Sequence, residues 1–226
     1  MKYKMIFLDL DGTLVDFNEA QKISLGKTLE EFGLEYNDEI LAVYKTINDQ
    51  YWEAFEAGKV TKAQLETGRF RDFIDKYNWN ADPEQMHSTY MSILVENKVL
   101  YPQAEAVCKE LSQRVDIVIA TNGNAAGQYK VVNDSVVAPY VKAIAVSEAA
   151  GYPKPDRRFF EYAMKLGGLS DKEKILMVGD SLSADIVGAL AFDIDACWYN
   201  PAKLPGPSGV KPTYIINELK ELLDIV

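Results

Sequence analysis

The sequence predicts an α/β fold, a doubly wound parallel sheet with an all-helical insert placed after its first strand. Three observations predict it. Short continuous apolar runs recur along the chain: KMIFL, VDIVIA, VKAIAV, ILMV and DACWY. From residue 101 onward these runs alternate with helical stretches, as strands buried on both faces must. Between the first run and residue 101 lie about eighty residues whose apolar positions keep helical spacing throughout.

The elements follow in order. Lys4 to Leu8 reads as a buried strand. Ala20, Ile23, Leu25, Thr28, Leu29 and Phe32 form a helical stripe that Gly33 can end. Asn37 or Asp38 caps a second helix carrying Ile40, Tyr44, Ile47, Tyr51 and Phe55, stopped by Gly58. Thr61 and Gln64 have capping-box spacing ahead of Leu65, Phe70, Phe73, Ile74 and Tyr77. Asp82 and Pro83 open a fourth helix with Met86, Tyr90, Ile93 and Leu94. Beyond it, a helix over 103–113 leads to the strand 115–120, and another helix leads to the strand 141–146. Helices over 156–166 and 183–191 precede the strands 175–178 and 195–199. Asn200 to Pro212, rich in proline and glycine, is a surface loop before a short strand (213–216) and a last helix. The expected division is a sheet domain of 1–15 and 98–226 around a helical cap of 16–97.

Composition narrows the function. The 226 residues are 48% hydrophobic and 26% charged, which is ordinary for a globular chain. A formal charge of -10 argues against a nucleic-acid polymer as partner, since binding one needs clustered Lys and Arg. A small phosphate held by a local cation remains open. The N-terminus lacks a signal peptide's long apolar core, and no apolar run approaches the ~20 residues of a membrane span. The expectation is a cytoplasmic protein without a membrane partner, a monomer or weak homodimer. Cys108 and Cys197 have no metal spacing and read as buried free thiols.

Ligands of such sheets sit at the carboxyl ends of the strands, so the residues after each strand carry the chemistry. Asp9 and Asp11 follow the first, with Gly12 and Thr13 behind them. Two carboxylates at a buried strand end call for a cation. Thr121, Asn122 and Gly123 follow the second strand and offer a hydroxyl and backbone N–H groups to an anion. Lys154 lies between two prolines beyond the third, and Gly179, Asp180 and Ser181 follow the fourth, with Asp185 further on. Each group alone could be a turn, a helix cap or a surface charge. Their recurrence after successive strands of one sheet favours a single site.

DLDGT (9–13), TNG (121–123), Lys154 and GDSLSAD (179–185) resemble, in order, the four motifs of the haloacid dehalogenase-like hydrolase superfamily, and the helical block stands where that superfamily carries its cap. The resemblance implies a Rossmann-like core and magnesium-dependent phosphoryl chemistry. Asp9 would be the nucleophile that forms an aspartyl-phosphate. Asp11 would act as general acid and then base. Asp9, the backbone carbonyl of Asp11, Asp180 and Asp185 would hold the metal. Thr121, Asn122, Gly123 and Lys154 would bind the phosphoryl group, with Thr121 and Lys154 counted among the catalytic residues.

Asp11 disfavours a dehalogenase, which needs no acid for its leaving group. The phosphosugar mutase branch commonly has a histidine soon after the first motif, whereas the one histidine here is His87, late in the helical block. LVDF (14–17) and CWYNP (197–201) resemble the pyrimidine 5′-nucleotidase branch, whose members hydrolyse nucleoside monophosphates. Two further readings stay open: a phosphatase or phosphomutase acting on sugar phosphates, and a non-catalytic phosphate-binding regulatory module. Most cap aromatics are expected in the cap's own core. Hinges near 15–17 and 97–102 are expected to let the cap close over a small phosphorylated metabolite.

Overall fold

The computed structural model describes residues 2–206 and 209–226; Pro207 and Ser208, within the expected surface loop, lie outside the described residues. The chain forms two compact units, Met1–Asp16 with Leu100–Val226, and Phe17–Val99.

The first unit is built on one parallel sheet of β1 (Met5–Leu8), β2 (Asp116–Thr121), β3 (Ala143–Val146), β4 (Ile175–Gly179), β5 (Asp195–Tyr199) and β6 (Tyr214–Ile216), in the order β3-β2-β1-β4-β5-β6. This is the fold class expected of the sequence. Strand β1 explains its own place in the middle. Its four side chains are all buried, and the period of two sends Ile6 and Leu8 to one face and Met5 and Phe7 to the other. Ile6 and Leu8 join Ile117, Ile119, Leu176 and Val178 in one core, while Met5 and Phe7 meet Val118, Ala120 and Met177 in a second. Burial of each large apolar chain contributes about 1.5–3 kcal/mol, so a strand apolar on both faces is stable only between two covering layers.

The second unit is four helices: α1 (Phe17–Glu31), α2 (Asp38–Glu56), α3 (Lys62–Tyr77) and α4 (Pro83–Asn97). Local chemistry sets their starts. The Asn37 side chain accepts from the Ile40 N–H, Thr61 and Gln64 close a capping box, and Asp82 accepts from the Gln85 N–H with proline at the first helical position. Asn78, in the left-handed conformation, ends α3. Ala20, Leu25, Leu29, Tyr44, Phe70, Phe73, Met86 and Tyr90 form this unit's core, as the helical stripes require. The half-buried His87 lies 5.9 Å from the Phe70 ring, and burial lowers its pKa to about 4.

The remaining helices dress the sheet. They are α5 (Ala104–Ser112), α6 (Ala125–Asn133), α7 (Ser147–Ala150), α8 (Arg157–Gly167), α9 (Gly188–Ala191) and α10 (Leu222–Ile225). Val107, Cys108 and Leu111 of α5 enter the core with Ile6, and Phe159, Phe160 and Ala163 of α8 enter the core with Phe7. Cys108 and Cys197 are free and buried, and burial pushes both thiols up to about 12. No helix among the described residues is long and apolar enough to cross a membrane.

One element departs from expectation. In place of a continuous helix over 183–191, a wide π-type turn spans Leu182–Val187 and only Gly188–Ala191 is α-helical. The Ser181 carbonyl accepts from both Asp185 N–H (3.0 Å) and Ile186 N–H (3.2 Å). Such a turn carries an extra residue and re-aims side chains, here that of Asp185.

Candidate active site

Strand order reverses on the two sides of β1, since the chain runs from β1 out to β2 and β3 and then returns to β4. That switch point opens a crevice beyond the carboxyl ends of the strands. Leu8 pairs with Ile119 on one side and Val178 on the other, so one step beyond, Asp9 stands level with Ala120 and Gly179. Thr121 and Asp180 come one residue later. Register alone thus brings three of the four motifs to one level.

Lys154 joins them from the segment before α8. Its side chain is 2% exposed, and its Nζ donates to Asp9 Oδ1 (2.7 Å), Asp185 Oδ1 (2.6 Å) and the Ala120 carbonyl (2.6 Å). An ammonium has three protons, and all three are used. The segment is held in place by Asn122, whose side chain donates to the Lys154 carbonyl (2.9 Å) and accepts from the Lys154 N–H (2.8 Å). The Asn122 side chain thus serves the lysine segment, a role separate from the backbone N–H that the sequence offers to an anion.

Carboxylate oxygens of Asp9, Asp180 and Asp185 lie within 4.8 Å of one another. Burial lifts Asp9 to about 7 against the pull of Lys154, and Asp185 adds to the rise. Burial lifts Asp185 to about 6, again opposed by Lys154. Asp180 is crowded by its surroundings and by Asp9, which raise it to about 7, although its residue is still open to solvent. Burial alone would lower Lys154; Asp185 and Asp9 outweigh it and hold the ammonium well above the usual lysine range. Three acids around one ammonium leave an excess of two negative charges, that of one divalent cation, and a hard all-oxygen donor set suits magnesium. The residues present therefore fit such an ion.

Supporting contacts fix the acids. Thr13 Oγ1 donates to Asp180 Oδ1 (3.2 Å), and Trp198 Nε1 donates to the Asp180 carbonyl (3.0 Å). Ser181 N–H donates to Asp185 Oδ2 (3.1 Å), the contact that the wide turn makes possible. Gly12 has φ +93°, and a Cβ there would collide with the Asp180 carboxylate, so only glycine permits this approach.

Asp11 stands apart from the three clustered carboxylates. Gln128 Nε2 donates to Asp11 Oδ2 (2.6 Å) and also to Thr121 Oγ1 (3.1 Å), which accepts from the Gly123 N–H as well (3.2 Å). Sequence reasoning missed Gln128 and Trp198. A signal for Gln128 existed: it is buried on α6 four residues before the buried Val132, a polar side chain on the helix's inward stripe.

A doubly wound parallel sheet with an inserted helical unit and an acidic, lysine-bearing crevice at its switch point defines a Rossmann-like hydrolase architecture. The family model of haloacid dehalogenase-like hydrolases matches residues 3–193, and the chain belongs to that family. The chain is 35% identical to YfnB of Bacillus subtilis (strain 168), named as a HAD-hydrolase, over 100% of this chain and 96% of that protein. A crystal structure of YfnB bound to magnesium superposes with a TM-score of 0.95 over 100% of this chain and 99% of that one. Pyrimidine 5′-nucleotidase PynA of Streptococcus pneumoniae (strain ATCC BAA-255 / R6) is 33% identical over 99% of this chain and 95% of its own. Pyrimidine 5′-nucleotidase YjjG of Escherichia coli (strain K12) is 28% identical over 98% and 97%.

Proposed function

We propose that this hydrolase is a magnesium-dependent phosphomonoesterase that works through an aspartyl-phosphate and takes a nucleoside monophosphate as substrate. The observation that carries the reading is the group of three carboxylates around the buried Lys154 at the switch point. The likeness to PynA and YjjG supports the nucleotide as substrate class.

Asp9, the Asp11 carbonyl, Asp180 and Asp185 would hold the ion. Magnesium, when bound, offsets the negative charge that gathers as a phosphoryl group meets a carboxylate. The chain's own residues do the rest. Asp9 attacks phosphorus, a P–O bond to the nucleophile forms as the ester P–O bond breaks, and Asp11 gives its proton to the departing alkoxide. Asp11 then takes a proton from water, whose oxygen cleaves the acyl phosphate and releases inorganic phosphate. The Lys154 ammonium favours the ionised form of Asp9 and lowers the charge facing the phosphoryl group. Thr121 and the Asn122 N–H hold phosphoryl oxygens, whereas the Gly123 N–H is spent on Thr121 Oγ1 (3.2 Å).

Phosphate release from UMP and from p-nitrophenyl phosphate tests this, for the native protein and Asp9→Asn, with magnesium and with EDTA. Turnover should require both Asp9 and magnesium, and UMP should be preferred over a panel of sugar phosphates. Equal rates for the two proteins would remove Asp9 from the mechanism; preference for a sugar phosphate would overturn the substrate class.

A further inference from the structure

We propose that Gln128 is a positioning residue that sets two groups of the site at once, orienting Asp11 and turning the Thr121 hydroxyl into an obligate donor. The inference rests on the role given to Asp11 above. The Gln128 side chain is 2% exposed, and its Nε2 reaches both Asp11 Oδ2 (2.6 Å) and Thr121 Oγ1 (3.1 Å). Chemistry fixes which end of the amide faces them. The NH₂ end, with two protons to give, faces the pair, one proton directed at Asp11 Oδ2 and one at Thr121 Oγ1.

Two consequences follow. The Gln128 donor engages Asp11 Oδ2, so a proton that Asp11 transfers is carried on its other oxygen, and the carboxyl is held in a single orientation. Thr121 Oγ1 accepts from Gln128 and from the Gly123 N–H (3.2 Å), so both its lone pairs are engaged and its own proton must be directed elsewhere, toward an acceptor. A phosphoryl oxygen is such an acceptor. The path of the bridge is kept clear by Gly123, where a Cβ would overlap Gln128 Nε2. A buried amide that served packing alone would need neither the clearance at Gly123 nor two partners from two different motifs.

The test separates proton delivery from general damage. Uridine is a poor leaving group that needs a proton, whereas p-nitrophenolate leaves without one. First-turnover release of each is measured for the native protein, Gln128→Met, which keeps the volume and loses the donors, Gln128→Glu, and Asp11→Asn as reference. Loss of acid positioning should lower uridine release by about tenfold or more relative to p-nitrophenolate release in Gln128→Met. Gln128→Glu, which sets a carboxylate against Asp11, should show the same bias and serves alone if the methionine variant does not fold. If Asp11→Asn carries the bias and the Gln128 variants match the native ratio, the assignment of Gln128 is overturned while the reading of Asp11 stands. Were Asp11→Asn itself without bias, the reading of Asp11 would fail and the assignment with it.

Discussion

Stripped of divalent cations, the protein should lose stability as the pH rises from about 5 to about 8, and magnesium should restore it. Asp9 moves from an ordinary 3.8 to about 7 in the fold, and Asp185 from 3.8 to about 6. Between those limits the folded chain holds protons that the unfolded chain has already released, so each rise in pH favours unfolding until the folded pKa is passed. Each pH step over which such a proton is held costs on the order of 1 kcal/mol, and Asp9 holds its proton over a wider span than Asp185. Both acids bear on the same Lys154, so their contributions overlap, and a net loss of about 2–4 kcal/mol is expected. In a chain of this size that is about 5–15 °C in melting temperature. Solvent screens Asp180, which is exposed. The assay is thermal melting across this pH range in EDTA and in excess magnesium chloride, with Asp9→Asn as the background for all other acids. A metal-free melting temperature that stays level or rises with pH, relative to that variant, would refute the electrostatic account of the site.

Gly12→Ala should weaken magnesium binding about tenfold or more, read by isothermal titration, because the new Cβ meets the Asp180 carboxylate and the φ of +93° adds about 1–3 kcal/mol of strain. Thr61→Ala removes the capping box of α3 and should cost about 1 kcal/mol, lowering the melting temperature by about 2–4 °C while kcat changes less than about twofold.

What could be read from the sequence divides by the range of the interaction. The strands were legible because a strand buried on both faces must be apolar at every position, as Met5 to Leu8 are. The caps at Asn37, Thr61 and Asp82 were legible because each bonds a backbone N–H three residues on. The wide turn over Leu182–Val187 was not. Its shape answers to where Asp185 must reach, and that place is set by Lys154, thirty-one residues earlier in the chain. Gln128 escaped for the same reason, since its partner Asp11 is 117 residues away. The side-chain role of Asn122 was not legible either, since it pairs with the Lys154 backbone thirty-two residues away.

Lys154 explains why distant motifs make one site. A lone ammonium buried to this degree would shed its proton, and lone carboxylates as buried as Asp9 and Asp185 would take one up. Each leans on the others for its charge: the ammonium distributes its three protons over Asp9, Asp185 and the Ala120 carbonyl, and so draws the ends of β1, β2 and β4 together. The balance still leaves acid in excess, and the carboxylates carry raised pKa values in consequence. A site with this surplus is unstable toward protonation and stable toward a divalent cation. The same surplus repels a phosphate dianion, and a divalent cation held among these acids would offset that repulsion.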